Sequence, residues 1–258
     1  MEYTFFMFQN QRREKILLLI QENGSCQVNE LSNIFGVTEQ TIRQDLVALE
    51  KEGLIIRQHG GALLKSSPSS ISVSIPDRGH SLEKEAIGKK AATFVNDGDS
   101  IILDSGTTIS AMAKFLANRR NMNVVTNALN IALGLGSEPS NKVLVIGGEF
   151  KPPTFSCTGE RSLSLFDSIY VDKLFLATGG FSVDGGLSYP GLSDIAIKKA
   201  MIKSAKTVYL LADSSKSEKT LLASLGGLDQ IDYLVTDDKL SPDTRDRIEN
   251  LGVKVIIA

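Results

Sequence analysis

The chain has 258 residues, 42% hydrophobic and 22% charged, with a net charge of −2 from 28 basic and 30 acidic side chains. That length suits roughly two domains of ordinary size, and no apolar run reaches the roughly 18–20 residues of a membrane span. Cys26 and Cys157 stand far apart with no CxxC pair or histidine cluster, so no structural metal or cofactor is expected and the thiols read as idle ones of a cytoplasmic protein.

The opening MEYTFFMF is apolar but lacks a basic start and runs into Gln-Asn-Gln-Arg-Arg, unlike a secretory signal. Met7 is expected to be an alternative translation start. From Arg12 to Asn23 the spacing of Ile16, Leu19 and Ile20 predicts a first helix with these residues inward. Leu31, Ile34 and Phe35 predict a short second helix with one apolar face, stopped by Gly36, which can take the left-handed turn conformation. Thr38 then caps a third helix in which Ile42, Leu46 and Leu49 face the other two. Gln40, Thr41, Arg43 and Gln44 are turned outward on its first turns. In helix-turn-helix proteins those turns enter the major groove, where amides and guanidinium groups pair with base edges and hydroxyls with phosphates.

After Gly53 the period changes, and LIIRQHGGALL reads as two short strands around His59, Gly60 and Gly61, a wing. Arg57, His59 and Gly60 on that wing are placed to reach a phosphate or a minor-groove edge. Residues 1–65 hold seven basic and eight acidic groups, a sum that argues mildly against nucleic acid. The acids Glu30, Asp45, Glu50 and Glu52 are expected to lie mostly away from Arg43 and Arg57, so local geometry should outrank the sum. A near-neutral module binds weakly alone, which favours a homo-oligomer, a dimer or tetramer, on repeated half-sites.

Residues 65–81 are rich in Ser and Pro without sustained period and read as a linker between a domain at 9–64 and one at 82–258. Beyond it, helical and strand patterns alternate: LEKEAIGKKAATFV, SIILD, TTISAMAKFLA, NVVT, NALNIALGLG, KVLVIGG, ERSLSLFDSI, KLFLAT, LSDIAIKKAMIKSA, TVYLLAD, YLVTD, PDTRDRIENLG and VKVII. Continuous apolar strands between helices imply an α/β fold with a mostly parallel, doubly wound sheet covered on both faces.

Ligands of such sheets bind beyond the carboxyl ends of the strands. Asp104, Ser105, Gly106, Thr107 and Thr108 follow SIILD and open a helix, where backbone N–H groups and hydroxyls can approach an anion. Thr126 and Asn127, Gly147 and Gly148, Gly179 and Gly180, and the run Asp213 to Lys216 end other strands. Singly, a glycine pair is more often a turn and Asp-Ser-Ser an ordinary cap; together they suggest a pocket for a small phosphorylated polyol.

The run from Arg12 to Leu64 resembles the N-terminal domain of the DeoR family of bacterial transcriptional regulators, whose core reads VSxxTIRRDLxxLexxGLlxRxHGGA. Gln44 replaces the usual second arginine after TIR, so operator sequence does not carry over from relatives. DSGTT, TN, GG, LATGG and ADSSK, in this order, resemble the family's C-terminal sensor domain, which shares its fold with ribose-5-phosphate isomerase. The resemblance implies a repressor of carbohydrate uptake or catabolism genes. It binds double-stranded operator DNA through Thr38, Gln40, Thr41, Arg43, Gln44, Arg57, His59 and Gly60. It implies a phosphorylated sugar or polyol effector held by Ser105, Gly106, Thr107, Thr108, Asn127 and Lys216, with Asp104, Thr126 and Gly180 behind them.

A sugar-phosphate isomerase with an appended DNA-binding module is the rival reading. The isomerase's GADExD-like motif falls on Ala177 to Ser182, where Gly179 and Ser182 replace the acids, and Asp184 is the nearest substitute. Without a positioned base the fold supplies only binding. A scaffolding protein would leave the polar groups at the strand ends without a purpose.

Overall fold

A computed structural model describes residues 9–23, 25–58, 60–64 and 79–258, and the chain divides into two units. Met1 and Met7, His59 and all but the last residues of the 65–81 segment lie outside the described residues.

The first unit runs α1 (Gln9–Asn23), β1 (Ser25–Gln27), α2 (Val28–Phe35), α3 (Glu39–Lys51), β2 (Ile55–Gln58) and β3 (Gly61–Leu64). Its core is Ile16, Ile20, Val28, Leu31, Ile42, Leu46, Leu49, Ile55 and Ala62, with Leu19 and Phe35 packed at its edge. One expected inward residue faces out: Ile34 is 63% exposed. Val28, Leu31 and Phe35, at i, i+3 and i+7, carry the inward stripe of α2, and that rotation leaves Ile34 on its exposed flank. Gly36 takes φ 63° after α2, as the turn requires. The wing has a third strand, β1, which the sequence pattern did not show; the antiparallel order is β1-β3-β2. At Gly61 the chains approach so closely that a Cβ would strike the Cys26 carbonyl.

The second unit continues α4 (Ser81–Ala92), β4 (Ser100–Leu103), α5 (Thr107–Phe115), β5 (Asn123–Thr126), α6 (Leu129–Leu135), β6 (Lys142–Val145), β7 (Glu149–Lys151) and β8 (Ser156–Thr158). There follow β9 (Val171–Ala177), β10 (Gly180–Ser182), β11 (Gly186–Tyr189), α7 (Ile195–Lys203), β12 (Ala205–Leu211), β13 (Ala223–Gly226), β14 (Tyr233–Thr236), α8 (Pro242–Glu249) and β15 (Lys254–Ile257). Seven strands form one sheet in the order β15-β14-β12-β9-β4-β5-β6, every neighbouring pair parallel.

Alternation along the strands sorts the core into two layers. Ile102, Leu174, Leu176, Val208 and Leu210 pack with Ile197 and Met201 of α7, Ile248 of α8 and the small antiparallel sheet β10-β11-β13. Ile101, Leu103, Phe175, Tyr209 and Leu211 pack on the other face with Ile87 of α4, Ile109 and Met112 of α5 and Ile131 of α6. The sheet is therefore doubly wound, as the continuous apolar strands implied. Two details differ from the sequence reading: ERSLSLFDSI forms a 3-10 helix over Glu160–Ser168, and the short strands β7, β8, β10, β11 and β13 were not foreseen. These short strands lack the continuous apolar run that marks the strands of the parallel sheet.

The chain fills the sheet from β4 outward through β5 and β6, then returns to the other side of β4 with β9 and proceeds through β12, β14 and β15. The winding direction reverses between β4 and β9. Such a reversal opens a crevice at the carboxyl ends of the two strands.

Candidate DNA-reading surface and effector cavity

In the first unit, Thr38 caps α3: its Oγ1 accepts the Thr41 amide at 3.3 Å and lies 3.0 Å from the Thr41 hydroxyl. Because the opposite face of α3 is committed to the core, Gln40, Arg43 and Gln44 stand exposed together, with Thr41 half-buried beside them. Arg57 is exposed on β2, and Gly60 sits at the wing tip with φ 85°.

Of the four acids expected to lie mostly away from these bases, Glu50 does not, and Glu39, which was not among them, also pairs. Arg43 donates to Glu39 at 2.6 Å, one helical turn earlier, and Arg57 donates to Glu50 at 2.7 Å. That contact with Arg57 holds the Glu50 carboxyl below its ordinary pKa. Local helix and hairpin geometry brings these acids into reach: i and i+4 share a helix face, and the turn after α3 lays β2 back along it. Exposed pairs of this kind exchange readily for a phosphate in water. Asp45 is fully buried between Arg12 at 2.6 Å and Arg13 at 3.0 Å, tying α1 to α3.

In the second unit a cavity of about 450 Å³ lies over the carboxyl ends of β4, β9 and β12, at the winding reversal. Ser105, Gly106, Thr107 and Thr108 line it where α5 begins, so the unpaired amides of that first turn face an aqueous hollow. Lys216 lines it from the 3-10 turn after β12. Sequence reasoning missed His80, Lys84, Thr178, Tyr189, Asp194, Lys198 and Lys219, which line it too.

Gly179 and Asp213 line it as well, whereas Asp104, Thr126, Asn127 and Gly180 surround the cavity without lining it. Asp104 is fully buried beneath, its Oδ2 accepting from Lys198 at 2.5 Å and from the Ala177 amide at 3.0 Å. Thr126 accepts the Ala128 amide at 3.0 Å, and Asn127 donates to the Cys157 carbonyl at 3.0 Å; both are buried at the end of β5, next to the site's strands. Gly180 lies in β10, where a Cβ would come within 2.5 Å of the Lys219 carbonyl oxygen; it serves close backbone packing.

Lys198 also lies over the Tyr189 ring, 4.8 Å from its centre. Burial, and then the Asp104 charge, push the Tyr189 hydroxyl well above its ordinary pKa, and it donates to the Ala177 carbonyl at 2.7 Å. The arrangement is rigid below and polar above, with lysines and a helix N-terminus facing the same volume. It is suited to hold a small anion bearing hydroxyl groups. Among the described residues no group of three or more His, Cys, Asp or Glu side chains could hold a metal ion, and no helix is long and apolar enough to cross a membrane.

Comparison with known proteins agrees with both halves. Residues 12–68 match the DeoR-like helix-turn-helix domain and residues 79–238 the DeoR C-terminal sensor domain. The chain is 36% identical to an uncharacterized HTH-type transcriptional regulator of Bacillus subtilis, YulB, over 95% of each chain. It is 34% identical to the HTH-type transcriptional regulator GolR of Listeria innocua over 98% of this chain and 100% of that one. It is also 34% identical to the glycerol-3-phosphate regulon repressor of Escherichia coli over 90% and 92%. Ribose-5-phosphate isomerase A of Neisseria gonorrhoeae overlays 54% of each chain at 14% identity and a TM-score of 0.40. A helix-turn-helix unit followed by a sensor domain, matched along nearly the whole length of curated regulators, places this chain in the DeoR family of transcriptional regulators.

Proposed function

We propose that the protein is a cytoplasmic repressor of carbohydrate uptake or catabolism genes, released from or held on its operator by a phosphorylated sugar or polyol. The cavity carries this reading, because it joins the N-terminal turn of α5 to lysines from three other segments, Lys84, Lys198 and Lys216, at one winding reversal. The phosphate sits against Ser105, Gly106, Thr107 and Thr108 with Lys216, and the hydroxyl groups of the ligand face Thr178 and Asp194. Asp104, Thr126, Asn127 and Gly180 hold the walls. Two or more copies associate through the second unit and present Thr38, Gln40, Thr41, Arg43, Gln44, Arg57, His59 and Gly60 to repeated half-sites. Relatives named for glycerol-3-phosphate and aga operons support the metabolite class.

The isomerase's acids are missing from their motif positions, and the carboxylates that do line the cavity are engaged elsewhere, Asp194 with Lys151 at 2.7 Å and Asp213 with the Ser215 hydroxyl. Asp184 has a side chain 86% exposed, paired with Arg247 at 3.0 Å, and does not line the cavity. Gly179 and Ser182 occupy the positions of the expected acids. Proton shuttling needs a carboxylate free to take the proton within hydrogen-bond reach of the substrate.

Thermal-shift screening against phosphorylated sugars and polyols tests the proposal. The cognate compound at about 100 times its Kd should add roughly 2.7 kcal/mol of stability, and its unphosphorylated counterpart should add little. A panel of phosphorylated ligands that leaves the melting curve unmoved would remove the phosphate from the reading.

A further inference from the structure

The charge of the first unit is distributed unevenly once its ion pairs are drawn. Arg43 and Arg57 each stand in a one-to-one pair with an acid. Asp45 instead serves two guanidinium groups, accepting from Arg12 Nε at 2.6 Å and from Arg13 Nε at 3.0 Å. Two cations on one carboxylate leave a surplus positive charge at the junction of α1 and α3. Arg13 is the more open of the two, with 23% of its side chain exposed against 10% for Arg12.

The position of that surplus matters. Thr38, Thr41 and Asp45 are spaced i, i+3 and i+7, so they stand in one row along a flank of α3. The row lies between the core side, marked by Ile42, Leu46 and Leu49, and the exposed side, marked by Gln40, Arg43 and Gln44. A helix with its side chains is about 10–12 Å across, and the major groove is about 12 Å wide. A helix seated there has its flanks beside the phosphates. The Thr38 and Thr41 hydroxyls begin the row and the Arg13 guanidinium, fixed on Asp45, continues it.

We propose that Arg13 is a phosphate-contacting residue of the DNA-binding surface, held in position by Asp45. A guanidinium carries five N–H donors in a fixed fork, so a bond at Nε leaves the Nη edge for a second anion. Because Asp45 already orders the side chain in the folded protein, little rotamer entropy remains to be lost on binding. The inference rests on the reading of this unit as a DNA binder, and the test separates the two.

The full-length chain is titrated, by fluorescence anisotropy, against two labelled duplexes of about 30 base pairs across about 50–300 mM salt. One has mixed sequence, and the other is enriched from a random pool by the wild-type protein. Arg13→Gln keeps an amide donor for Asp45, and Arg13→Lys keeps the charge. Arg13→Gln should weaken both duplexes by the same factor, about 5-fold to 10-fold near 0.15 M salt, and reduce the slope of log K against log salt by about 0.9. Arg13→Lys should retain the wild-type slope. An unchanged slope in Arg13→Gln, a loss confined to the enriched duplex, or equal losses in both variants would overturn the inference and leave DNA binding intact. A wild-type protein that binds neither duplex would overturn the underlying reading instead. Labelling of wild-type arginines with phenylglyoxal, mapped by mass spectrometry, needs no variant to fold: duplex should protect Arg13, and equal labelling with and without duplex refutes the contact.

Discussion

Asp237, at the end of β14, lines no part of the cavity, yet it accepts the amide of Ser214 at 2.7 Å, two residues before Lys216. Burial would raise its pKa; the amides of Ser214 and Lys239 outweigh burial and hold it below its ordinary value. A carboxyl whose folded pKa is depressed stabilises the fold above its unfolded pKa, and that contribution disappears as pH falls through the folded value. Asp237→Asn should therefore cost about 1–3 kcal/mol in urea unfolding at pH 7. The gap to wild type should narrow below the ordinary carboxylate range, and an equal gap at pH 7 and in acid would exclude a charge effect. At this scale the sequence was legible where chemistry is local. Ser105 to Thr108 announce themselves as small residues opening a helix, and all four line the cavity. Lys84 and Lys198 were not legible, because a lysine within a helix such as IAIKKAMIK reads as solvated until the packing shows it buried.

The wing shows what an element adds to its residues. Gly61 pairs with Gln27 on one side and Gln58 on the other, and the Cys26 carbonyl occupies the space of a Cβ. Gly61→Ala should force β1 and β3 apart. The expected result is a lowered melting temperature and weaker binding to any duplex, compared by thermal melting and anisotropy with the same change at exposed Gly134, where an added Cβ meets nothing within 4 Å. Arg57 makes a different prediction. On the proposed reading it exchanges Glu50 for a phosphate, so Arg57→Ala should weaken all duplexes alike and flatten the salt dependence by about 0.9. Altered sequence preference with an unchanged slope would place Arg57 on a base edge. The three helices and two wing strands were readable because their apolar spacing runs long enough to fix a period. β1 was hidden by its length of three residues, and the 3-10 winding of Glu160–Ser168 by a spacing that also suits an α-helix.

Across the whole molecule, the parallel sheet was foreseeable from alternation of helices and apolar strands, whereas the location of the cavity was not. Strand ends alone nominated β5 and β6 alongside β4, and only the strand order shows that the winding reverses between β4 and β9. The proposed function requires a linkage between ligand in the second unit and DNA on the first. A coupling of about 1–3 kcal/mol changes operator affinity about 5-fold to 150-fold, and operator must change ligand affinity by the same factor. Calorimetric titration of the ligand with and without saturating operator measures both sides of that equality. Lys216→Ala should leave operator affinity unaltered while weakening the ligand response at least tenfold, and a normal response would remove Lys216 from the phosphate site.

The winding reversal also imposes an order in time. The core of the reading unit is contained between Ile16 and Ala62, so it is complete early in synthesis. The cavity waits for Lys216 and Lys219, roughly 150 residues later, or about 8–30 s at about 5–20 residues per second. A nascent or prematurely terminated chain thus carries the first unit without the cavity, and a stop codon between α4 and β12 is expected to leave a chain that binds repeated half-sites weakly and does not respond to the ligand.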